Sequence, residues 1–186
     1  MDQKSKAVFL DRDGVINKEV HHLRSKEELE LLPGVGKAIS TLNDTEYKVI
    51  VVTNQSVVAR GMCTEREVEG IHEELEKILE GEDASLDGLY YCPHHPEGKV
   101  EEYSKACECR KPGTGLLEEA ERDFDLDLSS SFLIGDSTSD IKAGNDAGCS
   151  TILVGTGYGG DDGEFRVEAD YECEDLGEAA KLICNL

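Results

Sequence analysis

The residues most able to do chemistry sit where apolar runs stop. Val8-Phe9-Leu10 ends in Asp11-Arg12-Asp13-Gly14, two carboxylates two positions apart. A chain leaving a strand still extended puts such residues on the same side, so both carboxylates face one small volume. Two bare carboxylates that close repel unless a cation or a shared proton intervenes. The pair therefore suits a hard cation such as Mg²⁺, bound by oxygen and open to phosphate on its free side. Asp-Arg-Asp-Gly is also an ordinary turn sequence, so the motif does not stand alone. Lys48-Val49-Ile50-Val51-Val52 runs into Thr53-Asn54-Gln55-Ser56, Phe132-Leu133-Ile134 runs into Gly135-Asp136, and Lys111 lies before a helix in Cys109-Arg110-Lys111-Pro112. Carboxylates, a hydroxyl–amide pair and a lysine make a phosphoryl-transfer kit. Cations neutralise the transferring group while hydroxyls and amides orient its oxygens.

A second cluster is of a different kind. Cys92-x-His94 and Cys107-x-Cys109 are two chelating pairs within one segment. Three thiolates and an imidazole suit tetrahedral Zn²⁺, and four protein ligands make a closed, structural site. His95 competes with His94 as the fourth ligand.

The elements that must position these groups alternate between strand and helix. Strands are expected at 8–10, 48–53, 88–92, 131–136 and 150–154, with a weak one near 169–173. Helices are expected after Pro33-Gly34, after the capping box Thr64-Glu65-Arg66-Glu67, over 116–124, after Ser137-Thr138-Ser139-Asp140, and over 176–184. The second of these presents Val68, Ile71, Leu75, Ile78 and Leu79 on one face. Residues 92–112 form an aperiodic loop, and 155–163 a glycine- and aspartate-rich one. This alternation predicts an α/β fold with a doubly wound, mostly parallel sheet in one domain over 1–186. In such a sheet the strand ends that carry Asp11, Thr53 and Asp136 share one edge.

Composition narrows the partners. The 186 residues carry 41 acidic and 19 basic side chains, a formal charge of −22. Nucleic acid and anionic membrane surfaces, both bound through basic patches, are disfavoured. No apolar run reaches membrane-spanning length, and Met1-Asp2-Gln3-Lys4-Ser5-Lys6 lacks the apolar stretch of a signal peptide, so a cytoplasmic monomer is expected. The odd count of seven cysteines in such a chain argues against a disulfide framework; Cys63, Cys149, Cys173 and Cys184 are expected as buried thiols.

Asp11-Arg12-Asp13-Gly14, Thr53-Asn54, Lys111-Pro112 and Gly135-Asp136 resemble the four motifs of the haloacid dehalogenase superfamily in its phosphatase form. With Ala59-Arg60-Gly61, Cys92-Pro93-His94-His95-Pro96 and Cys107-Glu108-Cys109-Arg110, the resemblance extends to the branch of heptose-bisphosphate and histidinol-phosphate phosphatases. It covers nearly the whole chain. It implies a Rossmann-like fold with a zinc-stapled loop and no separate cap domain, and Mg²⁺-dependent hydrolysis of a small phosphorylated sugar, with histidinol phosphate as the alternative substrate. It makes Asp11 the nucleophile, Asp13 the acid–base group, and Asp11, Asp13 (through its carbonyl) and Asp136 the Mg²⁺ ligands. Thr53 and Asn54 would hold phosphoryl oxygens, Lys111 would counter their charge, and Arg110 would meet the substrate or its second phosphate. The resemblance favours His94 over His95 for Zn²⁺, beside Cys92, Cys107 and Cys109. Intact Asp11, Asp13, Lys111 and Asp136 argue against a non-catalytic, zinc-stapled binding module. One departure stands out: Ser137 occupies a position where this branch often carries Lys or Arg. Asp140 is left as a carboxylate able to orient Lys111 or metal-bound water. His21, His22 and Arg24 are further candidates for reaching the substrate.

Overall fold

The computed structural model describes residues 4–186; Met1–Gln3, part of the segment read above as lacking a signal peptide, lie outside the described residues. Six strands form one sheet in the order β3-β2-β1-β4-β5-β6: β1 (Lys6–Leu10), β2 (Tyr47–Asn54), β3 (Gly88–Cys92), β4 (Phe132–Gly135), β5 (Ser150–Val154) and β6 (Tyr171–Cys173). Every pairing is parallel, so the sheet is more uniform than expected. The helices are α1 (Val35–Asn43), α2 (Glu65–Glu80), α3 (Gly115–Phe124), α4 (Thr138–Ala147) and α5 (Leu176–Cys184).

The strands are apolar throughout because both faces are covered. Alternate residues of β1 go to opposite cores. Val8 and Leu10 join Ile39 and Leu42 of α1, Leu75 and Leu79 of α2, and Ile183 of α5. Ala7 and Phe9 join Leu116, Leu117 and Ala120 of α3 and Ala143 of α4. Full burial of one such large aliphatic or aromatic side chain contributes about 2 kcal/mol. This packing on two sides fixes the register of β1 and, through it, where Asp11 emerges.

The predicted capping box of α2 is present, with Thr64 accepting from Glu67 N–H and the Glu67 carboxylate accepting from Thr64 N–H. The buried face of α2 holds Val68, Ile71, Leu75 and Leu79, but also His72, while Ile78 is only half-buried. Of the four scattered cysteines, Cys63, Cys149 and Cys173 are buried; Cys184 is exposed, contrary to expectation, because it ends α5 on its solvent side. Among the described residues no helix is long and apolar enough to cross a membrane.

Candidate active site

Parallel pairing brings the carboxyl ends of β1, β2 and β4 to one edge, where the chemical groups gather. Asp11 N–H donates to Ile134 O at 3.0 Å, extending the ladder one residue and tying the first carboxylate to β4. Lys111 reaches in from the long loop with only 3% of its surface exposed. Its Nζ lies 2.9 Å from Asp11 Oδ1 and 2.7 Å from Asp140 Oδ1, and donates to Val52 O at 2.7 Å. Asp11, Asp136 and Asp140 each place a carboxylate oxygen within 4.8 Å of the others. Three carboxylates facing one ammonium leave a deficit of two positive charges, which suits a divalent cation. Burial, with the neighbouring Asp140 charge, pushes the Asp11 carboxyl up to about 7. Burial and the Asp11 and Asp140 charges push Asp136 up to about 8. The carboxylates are close enough that protons compete to fill the role of a cation.

Asp136 is wedged between two backbones. Tyr158 N–H donates to its Oδ2 at 2.7 Å. A Cβ added at Gly14 (φ +80°) or Gly157 (φ +62°) would meet that oxygen at 2.1 or 2.0 Å. Both glycines therefore combine a left-handed backbone with a close approach that no side chain permits.

Ser137 explains its own departure from the basic residue. It is the N-cap of α4, with Oγ donating to Asp140 Oδ2 at 2.7 Å and N–H donating to the same oxygen at 3.1 Å. The cap turns the other oxygen of Asp140 to Lys111. Asp140 thus orients Lys111, as the sequence suggested.

The Asp13 carboxylate does not join the cluster of Asp11. It is clamped by its neighbour: Arg12 Nη2 donates to Oδ1 at 3.0 Å and to Oδ2 at 2.9 Å, with Asn17 Nδ2 at 2.8 Å and Gln55 Nε2 at 2.9 Å. Burial alone would raise its pKa, but the Arg12 charge and these donors outweigh burial and hold it below the usual carboxylate range. The two carboxylates stay close enough for the Asp13 charge to help raise Asp11, but the buried Arg12 folds onto Asp13 and gives it partners of its own. Thr53 is wholly buried, with Oγ1 accepting from Gln55 Nε2 at 2.9 Å. Both ends of the Asn54 carboxamide bond to the backbone of Lys111, at 3.0 Å each. The sequence aimed these two side chains at phosphate; here they brace Gln55 and the lysine segment.

The cysteine–histidine segment assembles beside them. The Sγ atoms of Cys92, Cys107 and Cys109 lie 2.9–3.4 Å apart, and His94 Nδ1 lies 3.4 Å from Cys109 Sγ and 3.6 Å from Cys92 Sγ. Around Zn–S bonds of about 2.3 Å, tetrahedral sulfur vertices sit about 3.8 Å apart, so a small outward movement admits the ion. His95 is elsewhere: its Nδ1 accepts from Glu97 N–H, and Nε2 faces Arg60 at 3.3 Å. The donor set fits Zn²⁺ through His94. Arg110 Nη1 donates to His94 O at 3.3 Å, and Arg110 lines a cleft of about 480 Å³ with Asn54, His95, Lys111, Glu164 and Phe165.

Residues 108–179 match the HAD-hydrolase-like family. A D-glycero-D-manno-heptose-1,7-bisphosphate 7-phosphatase of Thermosynechococcus vestitus is 42% identical over 187 aligned positions, covering 96% of this chain and 95% of its own. A D-glycero-beta-D-manno-heptose-1,7-bisphosphate 7-phosphatase of Rhodopseudomonas palustris is 44% identical over 142 residues, covering 76% and 79%. The chain belongs to the heptose-bisphosphate phosphatase family of HAD-like hydrolases. It is a phosphatase. The crystal structure of a D,D-heptose 1,7-bisphosphate phosphatase from B. bronchiseptica, complexed with magnesium and phosphate, superposes with a TM-score of 0.87 at 33% identity, covering 97% of this chain and 98% of that one. Phosphatases of this superfamily use Mg²⁺, and the acidic cluster here has the charge deficit such an ion fills.

Several members of the site escaped the sequence. Arg12, Asn17 and Gln55 hold Asp13, although only their closeness to motif residues hinted at it. His72 touches Arg12, and its one signal was a polar residue at a buried-face spacing on α2. Of the three substrate candidates, His21 Nδ1 pairs with Tyr158 OH at 3.1 Å near Asp136. His22 lies near enough to Arg60 for that charge to help burial lower its pKa. Arg24 is exposed and lines a separate groove with Ser25, Lys26 and Glu74.

Proposed function

We propose that this phosphatase removes the 7-phosphate of D-glycero-D-manno-heptose 1,7-bisphosphate through an aspartyl phosphate on Asp11. The observation that carries the reading is the buried Lys111 held between Asp11 and Asp140, with Asp136 alongside. The Asp11 carboxylate oxygen forms a bond to phosphorus as the bond to the sugar oxygen breaks. Asp13 gives a proton to that leaving oxygen, then takes one from the water that attacks phosphorus and frees Asp11. The clamp on Asp13 favours its ionised form, the form needed for the second half. A substrate monoanion, with a second phosphate pKa of about 6, passes its proton to Asp13, which hands it to the leaving oxygen in the first half.

Mg²⁺ would be held by the carboxylates of Asp11 and Asp136 and the carbonyl of Asp13, and supplies positive charge against the phosphoryl oxygens. Lys111 adds to that charge. Thr53 and Asn54 are assigned to the phosphoryl oxygens, a contact that requires them to exchange their present bonds to Gln55 and Lys111. Arg110, on the cleft beside Lys111, is assigned to the second phosphate. Cys92, His94, Cys107 and Cys109 would hold a structural Zn²⁺. A monomer with one domain over 1–186 completes this proposal.

The test is release of inorganic phosphate from both anomers of the heptose bisphosphate, histidinol phosphate and hexose bisphosphates, with and without Mg²⁺. The reading expects a preference for a heptose bisphosphate and a loss of at least about 10⁴-fold in Asp11→Asn. Turnover by Asp11→Asn equal to wild type would sink the nucleophile assignment. A preference for histidinol phosphate would sink the sugar substrate.

A further inference from the structure

Among the described residues Arg12 is the largest side chain with no exposed surface. A guanidinium buried this way costs several kcal/mol unless its donors are paired. Nε and Nη2 go to Asp13, and Nη2 also donates to Gln55 Oε1 at 3.0 Å. The remaining nitrogen, Nη1, lies 3.0 Å from His72 Nε2. Arginine only donates, so this ring nitrogen must accept, which assigns the imidazole proton to Nδ1 and leaves the ring neutral. Burial and the Arg12 charge, pushing His72 down to about 3, agree with that assignment.

His72 is itself held. It belongs to the buried face of α2 and is 7% exposed. Tyr91 packs against it edge-on, with ring centroids 5.3 Å apart and planes at 62°. Tyr91 OH donates to Glu65 Oε1 at 3.3 Å, and Tyr103 OH, from the cysteine–histidine loop, donates to Glu65 Oε2 at 3.0 Å. The guanidinium plane therefore has one edge on Asp13 and another on a ring packed edge-on against Tyr91.

We propose that His72 is a positioning residue for Asp13, acting through the buried guanidinium of Arg12. This rests on Asp13 being the group that moves the proton. A forked guanidinium sets the plane of the carboxylate it binds. Its own plane is fixed only if Nη1 keeps a partner. Proton transfer to a leaving oxygen is sensitive to small misplacements, so loosening Arg12 slows the step that needs the proton.

Leaving groups separate this role from packing alone. A sugar alkoxide needs a proton to leave, whereas p-nitrophenolate leaves without one. His72→Phe and His72→Gln would be assayed as the Mg²⁺- and Zn²⁺-loaded enzyme on heptose 1,7-bisphosphate and on p-nitrophenyl phosphate. For His72→Phe we expect kcat on the sugar phosphate to fall about tenfold with KM within about twofold, and kcat on the aryl phosphate to fall less than about threefold. His72→Gln, which restores an acceptor, regains most of the loss. Should the Phe protein not fold, His72→Asn, whose acceptor is too short to reach Arg12, takes its place. Equal losses on both substrates, or no recovery in Gln, overturn the proposal. Asp13→Asn is measured alongside. If it shows no dependence on leaving group, the acid–base reading itself fails; if it does and His72→Phe does not, only the role of His72 fails.

Discussion

The carboxylate–lysine site and the cysteine–histidine loop each gather four polar side chains, by opposite means. Asp11, Asp136 and Asp140 come from the ends of β1 and β4 and the first turn of α4, places set by sheet register and a helix cap. Lys111 joins them through ion pairs of 2.9 and 2.7 Å, so opposite charges within the protein help to hold this site together. Cys92, His94, Cys107 and Cys109 come from one segment whose only regular pieces are the end of β3 and a short 3₁₀ turn at Glu101–Tyr103. Their donors have no opposite charge among themselves, so the proposed ion is what would draw them together. The two regions are not independent, since Lys111 follows Cys109 by two residues. A framework built by the sheet thus receives the Lys111 ammonium from a loop that the proposed zinc would order.

Breaking the first region is expected to have the largest effect. Lys111→Met leaves Asp11 and Asp140 facing each other without a counter-charge, and phosphate release should fall about a thousandfold while bound zinc is unchanged. Loss of zinc in this variant would show that the two regions are one cooperative unit. Breaking the second region should act at a distance. Cys107→Ser should lower the zinc content of dialysed protein and reduce kcat/KM by about ten- to hundredfold, through misplacement of Arg110 and Lys111. Full activity without zinc would refute the dependence of the lysine on the loop.

A milder contrast comes from pH. Asp11 and Asp136 keep protons up to about 7 and about 8 in the cation-free fold, against about 3.9 in an unfolded chain. Between those limits these two groups hold more protons in the folded state, so the stability they contribute is full below about pH 4 and declines as pH rises toward 8. Melting of zinc-loaded, magnesium-free protein should drop by at least about 3 °C from pH 5.5 to pH 8, and Mg²⁺ should recover most of that loss at pH 8. A flat profile would mean that the acidic cluster carries no excess protons. Smallest of all, Ser137→Ala should cost about 1 kcal/mol of stability through the lost cap, with little change in kcat because Lys111 still holds Asp140. A large fall in kcat would give the cap a part in catalysis.

The sequence revealed what local rules govern. Strand ends, the capping box of α2 and the two chelating pairs are set by neighbours in the chain, and all three were found. What it hid depends on side chains meeting across the fold. Nothing in Asp11-Arg12-Asp13 says that the arginine turns inward instead of to solvent, because that is decided by α2 and by His72, sixty positions away. Asn54 was read by its chemistry as a phosphate ligand, yet its carboxamide matches the Lys111 backbone, a pairing visible only once the long loop has closed over β2. His94 and His95 were adjacent choices; the bond from Glu97 N–H to His95 and the thiols around His94 separate them.

The wedge around Asp136 bears on what can change at Gly14 and Gly157. The space that a Cβ at either position would need is already taken by one carboxylate oxygen of Asp136. An alanine at either position would have to move that oxygen, and so would disturb the cluster without altering its charge. Two missing side chains are thereby what lets this carboxylate sit where it does.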